Sequence, residues 1–201
     1  MMILVIAAHP DDEVLGMGAT IKKLSKNNKI FLGVITEGAS AQYLDKKMIE
    51  VRRESCIKSS KILGISNTVF FDFPDMGLDS VPQLEINKKL EEIIKKIKPE
   101  IVYTTPDNDL NRDHQKVHES TLVATRPFSN SVKQVLTYEI SGIVKNPFVP
   151  TVYEDISKEF FYKIKAFKMY KSEVEKFPHS RSIEALESLA SLRGIIRFDQ
   201  G

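Results

Sequence analysis

Apolar and polar positions alternate along this chain in blocks of two different periods. Ile3 to Ala8 form a continuous apolar run, the pattern of a strand covered on both faces in a parallel sheet. Leu15, Ala19, Lys22 and Lys23 then follow along a helical segment ending near Asn27-Asn28, and Ile30 to Thr36 is a second apolar run closed by Glu37-Gly38. From Asp45 to Leu63 the apolar Met48, Val51, Ile57 and Ile62 recur at helical spacing, with Gly64 as the stop signal. Thr68 to Phe73 reads as a third strand and about 84–97 as a helix, with Pro99 behind it. Ile101 to Thr105 reads as a fourth strand, and 114–126 as the next helix. Strand followed by helix, repeated in this way, builds crossover units. The fold class expected is α/β, a Rossmann-like three-layer α/β/α arrangement around a mostly parallel sheet.

Beyond Arg126 the pattern is less regular. Val132 to Ile140 and Val149 to Ile156 read as strands and 157–171 and 182–193 as helices, a small C-terminal extension; 194–201 yields no element. There are no repeats and no low-complexity tract. One domain over 1–201 is expected, with its Rossmann-like core in 1–130 and the C-terminal strands and helices in 131–201.

Composition narrows the function classes. The chain of 201 residues is 42% hydrophobic and 28% charged, an ordinary globular balance. The 29 basic and 27 acidic residues are interleaved rather than blocked, so nothing demands a nucleic-acid partner. Cys56 is the single cysteine, which excludes an intrachain disulfide and a multi-cysteine metal site and predicts a cytoplasmic address. Met1 to Ala8 is apolar but has no basic leader, and no stretch approaches the roughly 18 apolar residues of a membrane span.

Two polar clusters stand where a predicted strand hands over to a helix, the rim at which open parallel sheets place ligands. The first is His9-Pro10-Asp11-Asp12-Glu13. An acidic first turn suits a helix N-terminus, and Asp11 as a cap would account for part of it, but not for the histidine. A His at a strand end followed three residues later by Asp can point both groups at one ion. The second cluster is Asp107-Asn108-Asp109-Leu110-Asn111-Arg112-Asp113-His114. In a doubly wound sheet strands one and four are neighbours where the winding reverses, so the two loops face each other across one crevice. Two histidines and a carboxylate would leave positions on Zn(II) open for water and substrate, although Fe(II) favours the same ligand types. Asp75 and Glu37 follow the third and second strands and reach either the crevice or a turn. His118, one turn after His114, fits a solvated helix face better than a ligand position.

The residues also match a family. His9-Pro10-Asp11-Asp12-Glu13, preceded by Ala-Ala and followed by Val-Leu-Gly-Met-Gly-Ala, resembles the signature of the LmbE-like or PIG-L zinc deacetylases, and Asn111-Arg112-Asp113-His114 resembles their second motif. Arg52-Arg53-Glu54 with Leu63-Gly64, Phe73-Pro74-Asp75 with Gly77-Leu78, Tyr138-Glu139 and the stretch from His179 to Gly194 are similar to further family blocks, so the likeness covers most of the chain. The resemblance implies removal of an N-acetyl group from a GlcNAc-type amino sugar or conjugate. It implies His9, Asp12 and His114 as ligands to one zinc per chain, and Asp11 as general base. It also implies Arg53 as a substrate or oxyanion contact, Asp113 as a residue orienting His114, and His179 as a helper from the C-terminal part. Relatives are often trimers or hexamers, and they commonly continue beyond the position where this chain stops after Arg193-Gly194. Where several members carry a histidine that assists the oxyanion or the leaving amine, this chain has Asn111, which donates a hydrogen bond but supplies no proton at neutral pH. A metal-dependent phosphoesterase and a non-catalytic sugar-binding member of the fold are the competing readings, since clustered Asp and His also suit two-metal hydrolysis and fold does not dictate function.

Overall fold

The computed structural model describes residues 1–142 and 144–195. Five strands form one sheet in the order β3-β2-β1-β4-β5, all parallel: β1 (Met2–Ala7), β2 (Lys29–Thr36), β3 (Asn67–Phe73), β4 (Ile101–Thr104) and β5 (Gln134–Thr137). Helices α1 (Asp12–Leu24), α2 (Lys47–Leu63), α3 (Gln83–Ile97) and α4 (Arg112–Ala124) are the crossovers; α5 (Phe160–Phe167) and α6 (Ile183–Ile195) follow the sheet. The apolar runs and helical spacings therefore mark the first four strands and four helices to within two or three residues. Gly64 ends α2 in the left-handed conformation (φ 82°), its N–H donating to the Ser60 carbonyl, as a glycine stop should.

Side-chain alternation along β1 divides the core. Ile3, Val5 and Ala7 face α1, α2 and α5 with Leu15, Ile21, Cys56, Leu63 and Phe167. Leu4, Ile6 and Ala8 face the opposite layer with Ile86, Leu90, Ile94 and Val117 of α3 and α4. A central strand apolar at every position is the consequence of this two-sided burial.

The structure departs from expectation beyond residue 130. Val132 to Ile140 contributes a strand only at Gln134–Thr137, and this strand is the edge of the main sheet, paired with β4, rather than part of an appendage. Val149 to Ile156 forms no strand. The sheet has β5 and β3 as its two edges and does not include that run, in which Val149 and Val152 remain largely exposed while Lys23 reaches Glu154 and the Asp155 carbonyl. The end of the unassigned 194–201 stretch, 196–201, lies outside the described residues. Among the described residues no helix is long and apolar enough to cross a membrane.

Tyr138 and Lys163 are among the residues that tie the C-terminal half to α1. The Tyr138 ring lies against Gly16 and its hydroxyl donates to the Ile6 carbonyl at 2.8 Å. Lys163 of α5 is buried, and its Nζ donates to the Leu15 carbonyl at 2.7 Å beside Met17, whose φ of −136° and ψ of 23° break the helix. Burial pulls Lys163 down to about 8. Replacing Gly16 with Ala would put a Cβ 2.8 Å from Tyr138 Cε2 and closer still to Cδ2, against a ring pinned by its own hydroxyl. Urea denaturation should show Gly16→Ala to be destabilised by about 1–3 kcal/mol. A depressed lysine contributes stability that is full above its unfolded value of 10.5 and lost as pH falls through about 8. Relative to Lys163→Met, the wild-type chain should therefore gain about 2 kcal/mol of unfolding free energy between pH 8 and pH 10.

Candidate metal centre

β1 and β4 are adjacent and parallel, pairing Ile3, Leu4 and Val5 with Ile101, Val102 and Tyr103, so the segments leaving their carboxyl ends open onto the same crevice. The Ala8 carbonyl accepts from both the N–H and the hydroxyl of Thr36, each at 2.8 Å, which anchors the exit of β1 to the end of β2. The chain then turns through His9-Pro10-Asp11 into α1. Asp11 has φ 126° and ψ −23°, a conformation costing a side-chain-bearing residue about 1–3 kcal/mol. Its carbonyl starts α1 by accepting from Val14 and Leu15, but its carboxylate makes no capping bond. The strain is held from three sides. Glu13 Oε2 accepts the Asp11 N–H at 3.1 Å, Tyr170 donates to Glu13 Oε1 at 2.7 Å, and Arg52 donates to the Pro10 carbonyl at 2.8 Å.

The turn delivers two donors, His9 and Asp12, to a point where α4 adds His114. His9 Nδ1 is 3.2 Å from His114 Nε2, His114 Nε2 is 3.3 Å from Asp12 Oδ1, and His9 Nδ1 is 3.5 Å from Asp12 Oδ2. Ligand atoms about 2.0–2.1 Å from a tetrahedral zinc are separated from one another by about 3.3–3.4 Å, so the two imidazole nitrogens fit such an ion, with the Asp12 carboxylate beside both through different oxygens. Each imidazole is oriented through its other nitrogen. Asp109 Oδ2 meets His114 Nδ1 at 2.7 Å; Asp113 Oδ2 and Asp75 Oδ1 meet His9 Nε2 at 3.1 and 3.4 Å. Asp113 is itself fixed by the Leu78 N–H, from a short 3-10 turn at Leu78–Ser80. Burial opposes charge on the imidazoles, yet Asp113 and Asp12 lift His9 to about 10, and Asp12 and Asp109 lift His114 to about 9. Burial likewise pushes Asp12 upward, but the two histidines hold it well below the usual carboxylate range. The pocket thus concentrates negative potential on a spot where a divalent cation can displace protons.

Asp11 differs from all of these. It is wholly buried and neither carboxylate oxygen has a hydrogen-bond partner. Arg52 Nη2 and Arg181 Nη2 approach Oδ2 at 3.5 and 3.6 Å, and Glu173 pairs with both arginines. Burial pushes Asp11 above the usual range against the pull of the two guanidiniums. A buried carboxylate left unbonded beside a metal-ligand set has the character of a proton acceptor.

The family described as GlcNAc-PI de-N-acetylase, PIG-L, matches residues 4–125, a span that holds both donor loops. The chain belongs to the PIG-L family. It is 35% identical over 180 residues to the uncharacterized deacetylase YaiS of Escherichia coli (strain K12), covering 85% of this chain and 90% of that protein. The N,N'-diacetylchitobiose deacetylase of Pyrococcus horikoshii superposes with a TM-score of 0.74 at 24% identity, over 96% of this chain and 77% of that one. GalB, the 4-carboxy-2-hydroxymuconate hydratase of Pseudomonas putida KT2440, superposes at 0.73 with 19% identity, over 96% and 86%. At these identities the two superpositions establish the fold, and the hydratase shows that the fold also carries other chemistry.

Within this PIG-L chain the expected residues divide into those brought together and those placed elsewhere. His9, Asp12 and His114 converge. Asp113 orients His9 rather than His114, because successive helical residues point about 100° apart and the ring of its neighbour is out of reach. The partner of His114 is Asp109, in the loop. Arg53 turns outward to Asp72 at 2.5 Å and lies over the Phe70 ring, while its neighbour Arg52 is the arginine beside Asp11. Asn111 caps α4, its Oδ1 accepting from the Asp113 N–H at 2.9 Å. His179 is exposed, with Nδ1 accepting from the Arg181 N–H. His118 Nδ1 donates to the Thr105 carbonyl at 2.9 Å, outside the donor set. Of the two acidic residues at strand ends, Asp75 reaches His9, whereas Glu37 accepts from Ala39 and Ser40 in its own turn. Arg52 and Asp109 were visible as members of quoted motifs, but no spacing rule distinguishes them from their neighbours; Tyr170, Glu173 and Arg181 carried no separate signal. Removing the Asp109 carboxylate frees the His114 ring, so Asp109→Ala should weaken divalent-metal affinity by about 10–100-fold in chelator competition.

Proposed function

We propose that the chain is a zinc-dependent hydrolase that removes an N-acetyl group from a GlcNAc-type amino sugar or conjugate. The observation carrying this reading is the convergence of His9 Nδ1 and His114 Nε2, 3.2 Å apart, with the Asp12 carboxylate, in the same crevice as a buried carboxylate that has no hydrogen bond among the described residues. The family description and the acetyl-sugar substrate in the name of the Pyrococcus neighbour support the substrate class.

In this reading His9, Asp12 and His114 hold one zinc, although the donor types also suit Fe(II). When bound, such a cation supplies Lewis acidity, lowering the pKa of water toward about 7 and polarising the acetamide carbonyl. Asp11 accepts the proton that the attacking water loses. As the carbon–nitrogen bond breaks, Asp11 returns that proton to the amine, and acetate and the free amino sugar are the products. Asn111 has no proton to lend and is occupied in capping α4, which favours this return by Asp11. Arg52 holds the Pro10 carbonyl and thereby the strained turn that aims Asp11.

A second donor group, His9 with Asp75 and Asp113, uses His9 Nε2, the nitrogen opposite the first set. These contacts orient the imidazole, so one ion per chain is the expected count and a two-metal phosphoesterase is disfavoured. Asp11→Ala should lower acetate release from acetylated amino sugars by about three orders of magnitude or more while zinc content by mass spectrometry stays near one per chain. Substantial turnover by that variant would remove Asp11 from the mechanism.

A further inference from the structure

Glu173 is a buried carboxylate that the proposed chemistry leaves without a task. It lies between α5 and α6, distant in sequence from both donor loops, yet it is the hub of the charges around Asp11. Arg52 Nη1 pairs with Glu173 Oε1 and Arg181 Nη1 with Oε2. Tyr43 donates to Oε1 at 3.1 Å and Ser172 at 2.8 Å. Each arginine then turns its other terminal nitrogen toward the same atom, Asp11 Oδ2, at 3.5 and 3.6 Å. Two guanidiniums converging on one oxygen repel each other, and an anion bridging their far sides is what allows the approach. Among the described residues, Asp11 Oδ1 has no ion pair and no hydrogen bond.

The two arginines are not equivalent. Arg52 also holds the Pro10 carbonyl and so has a part in the backbone of the turn. The Arg181 side chain, 29% exposed, forms its ion pairs with Glu173 and Asp11 and holds no backbone carbonyl of the turn among the described residues. Holding the turn does not require it; fixing the carboxylate does.

Building on the deacetylase reading above, we propose that Glu173 is a positioning residue: it clamps Arg52 and Arg181 against Oδ2 of Asp11, so that the carboxylate keeps one orientation and Oδ1 is the oxygen that takes the proton from the attacking water. Oδ1 gains the proton that water loses and passes it to the nitrogen as the carbon–nitrogen bond breaks, which regenerates the carboxylate. Glu173 and Arg181 exchange no proton and touch no substrate.

The test uses the zinc-loaded full chain as wild type, Glu173→Gln, Arg181→Gln and Arg181→Lys, each measured for kcat, KM, zinc content and thermal unfolding, with crystal structures of the two glutamine variants. Both glutamine variants should lose about 10–100-fold in kcat with KM within about twofold of wild type and zinc content unchanged, and Arg181→Lys should recover part of the loss. The Glu173→Gln crystal should show the two guanidiniums drawn away from Oδ2, the Arg181→Gln crystal Arg52 alone beside it, and both the Asp11 carboxylate rotated. A KM increase without a kcat loss would make Arg181 a substrate contact and overturn the clamp; so would an unmoved Asp11 carboxylate in both variants. If Glu173→Gln does not fold, the part-exposed Arg181 variants carry the same comparison. Wild-type zinc protein that releases no acetate from any acetylated amino sugar tested would sink the deacetylase reading instead, and the orientation of Asp11 in the variant crystals would then decide the clamp alone.

Discussion

The parallel pairing of β1 with β4 is the constraint on which the site depends. The helices that follow these two neighbouring strands run to opposite sides of the sheet: α1 packs on one layer with α2, α4 on the other with α3. Helices leaving in opposite directions open a crevice between the two strand ends, and the two polar clusters of the chain stand at those ends. Had either strand been separated from the other by a third, His9 and His114 would lie at least one further strand spacing of about 4.8 Å apart, and no single ion would reach both.

Given that placement, the site is a controlled accumulation of buried charge. His9, Asp11, Asp12, Glu13, Asp75, Asp109, Asp113, His114, Arg52 and Glu173 are all buried, an arrangement that costs folding free energy unless each charge is paired or hydrogen-bonded. Nearly all are. His9 and His114 each have carboxylates on both sides, Asp113 has the Leu78 N–H, and Glu13 has Tyr170. The carboxylate of Asp11 has ion pairs but no hydrogen bond among the described residues, and Asp11 is also the residue with the most strained backbone at the site. Strain and an unsatisfied buried group coinciding on one residue are what a poised proton acceptor looks like when the surroundings, not the residue itself, supply the stability.

The C-terminal half completes this environment rather than forming an appendage. Tyr138 and Lys163 hold α1 from outside, Tyr170 supports Glu13, and Glu173 with Arg181 closes the charge cluster around Asp11. Residues 9–13 and 107–114 are self-announcing in the chain because each packs several ionisable groups into one strand-to-helix junction. The supporting residues are single positions scattered along segments with no regular period.

Local pattern alone determined the alternation of strand and helix, the buried central strand from Ile3 to Ala8, the glycine that ends α2 and the short motifs bearing the donors, because each of these is decided by neighbours within a few residues. Tertiary structure alone decided that Val149 to Ile156 adds no strand to the sheet, that Arg52 rather than Arg53 faces Asp11, that Asp109 holds His114 while Asp113 holds His9, and that Glu173 pairs with the two arginines beside Asp11. The physical reason is the same in each case. Which way a side chain points, and whether a strand finds an edge, depend on groups far away in the chain that come near only once the sheet and its two helical layers have packed.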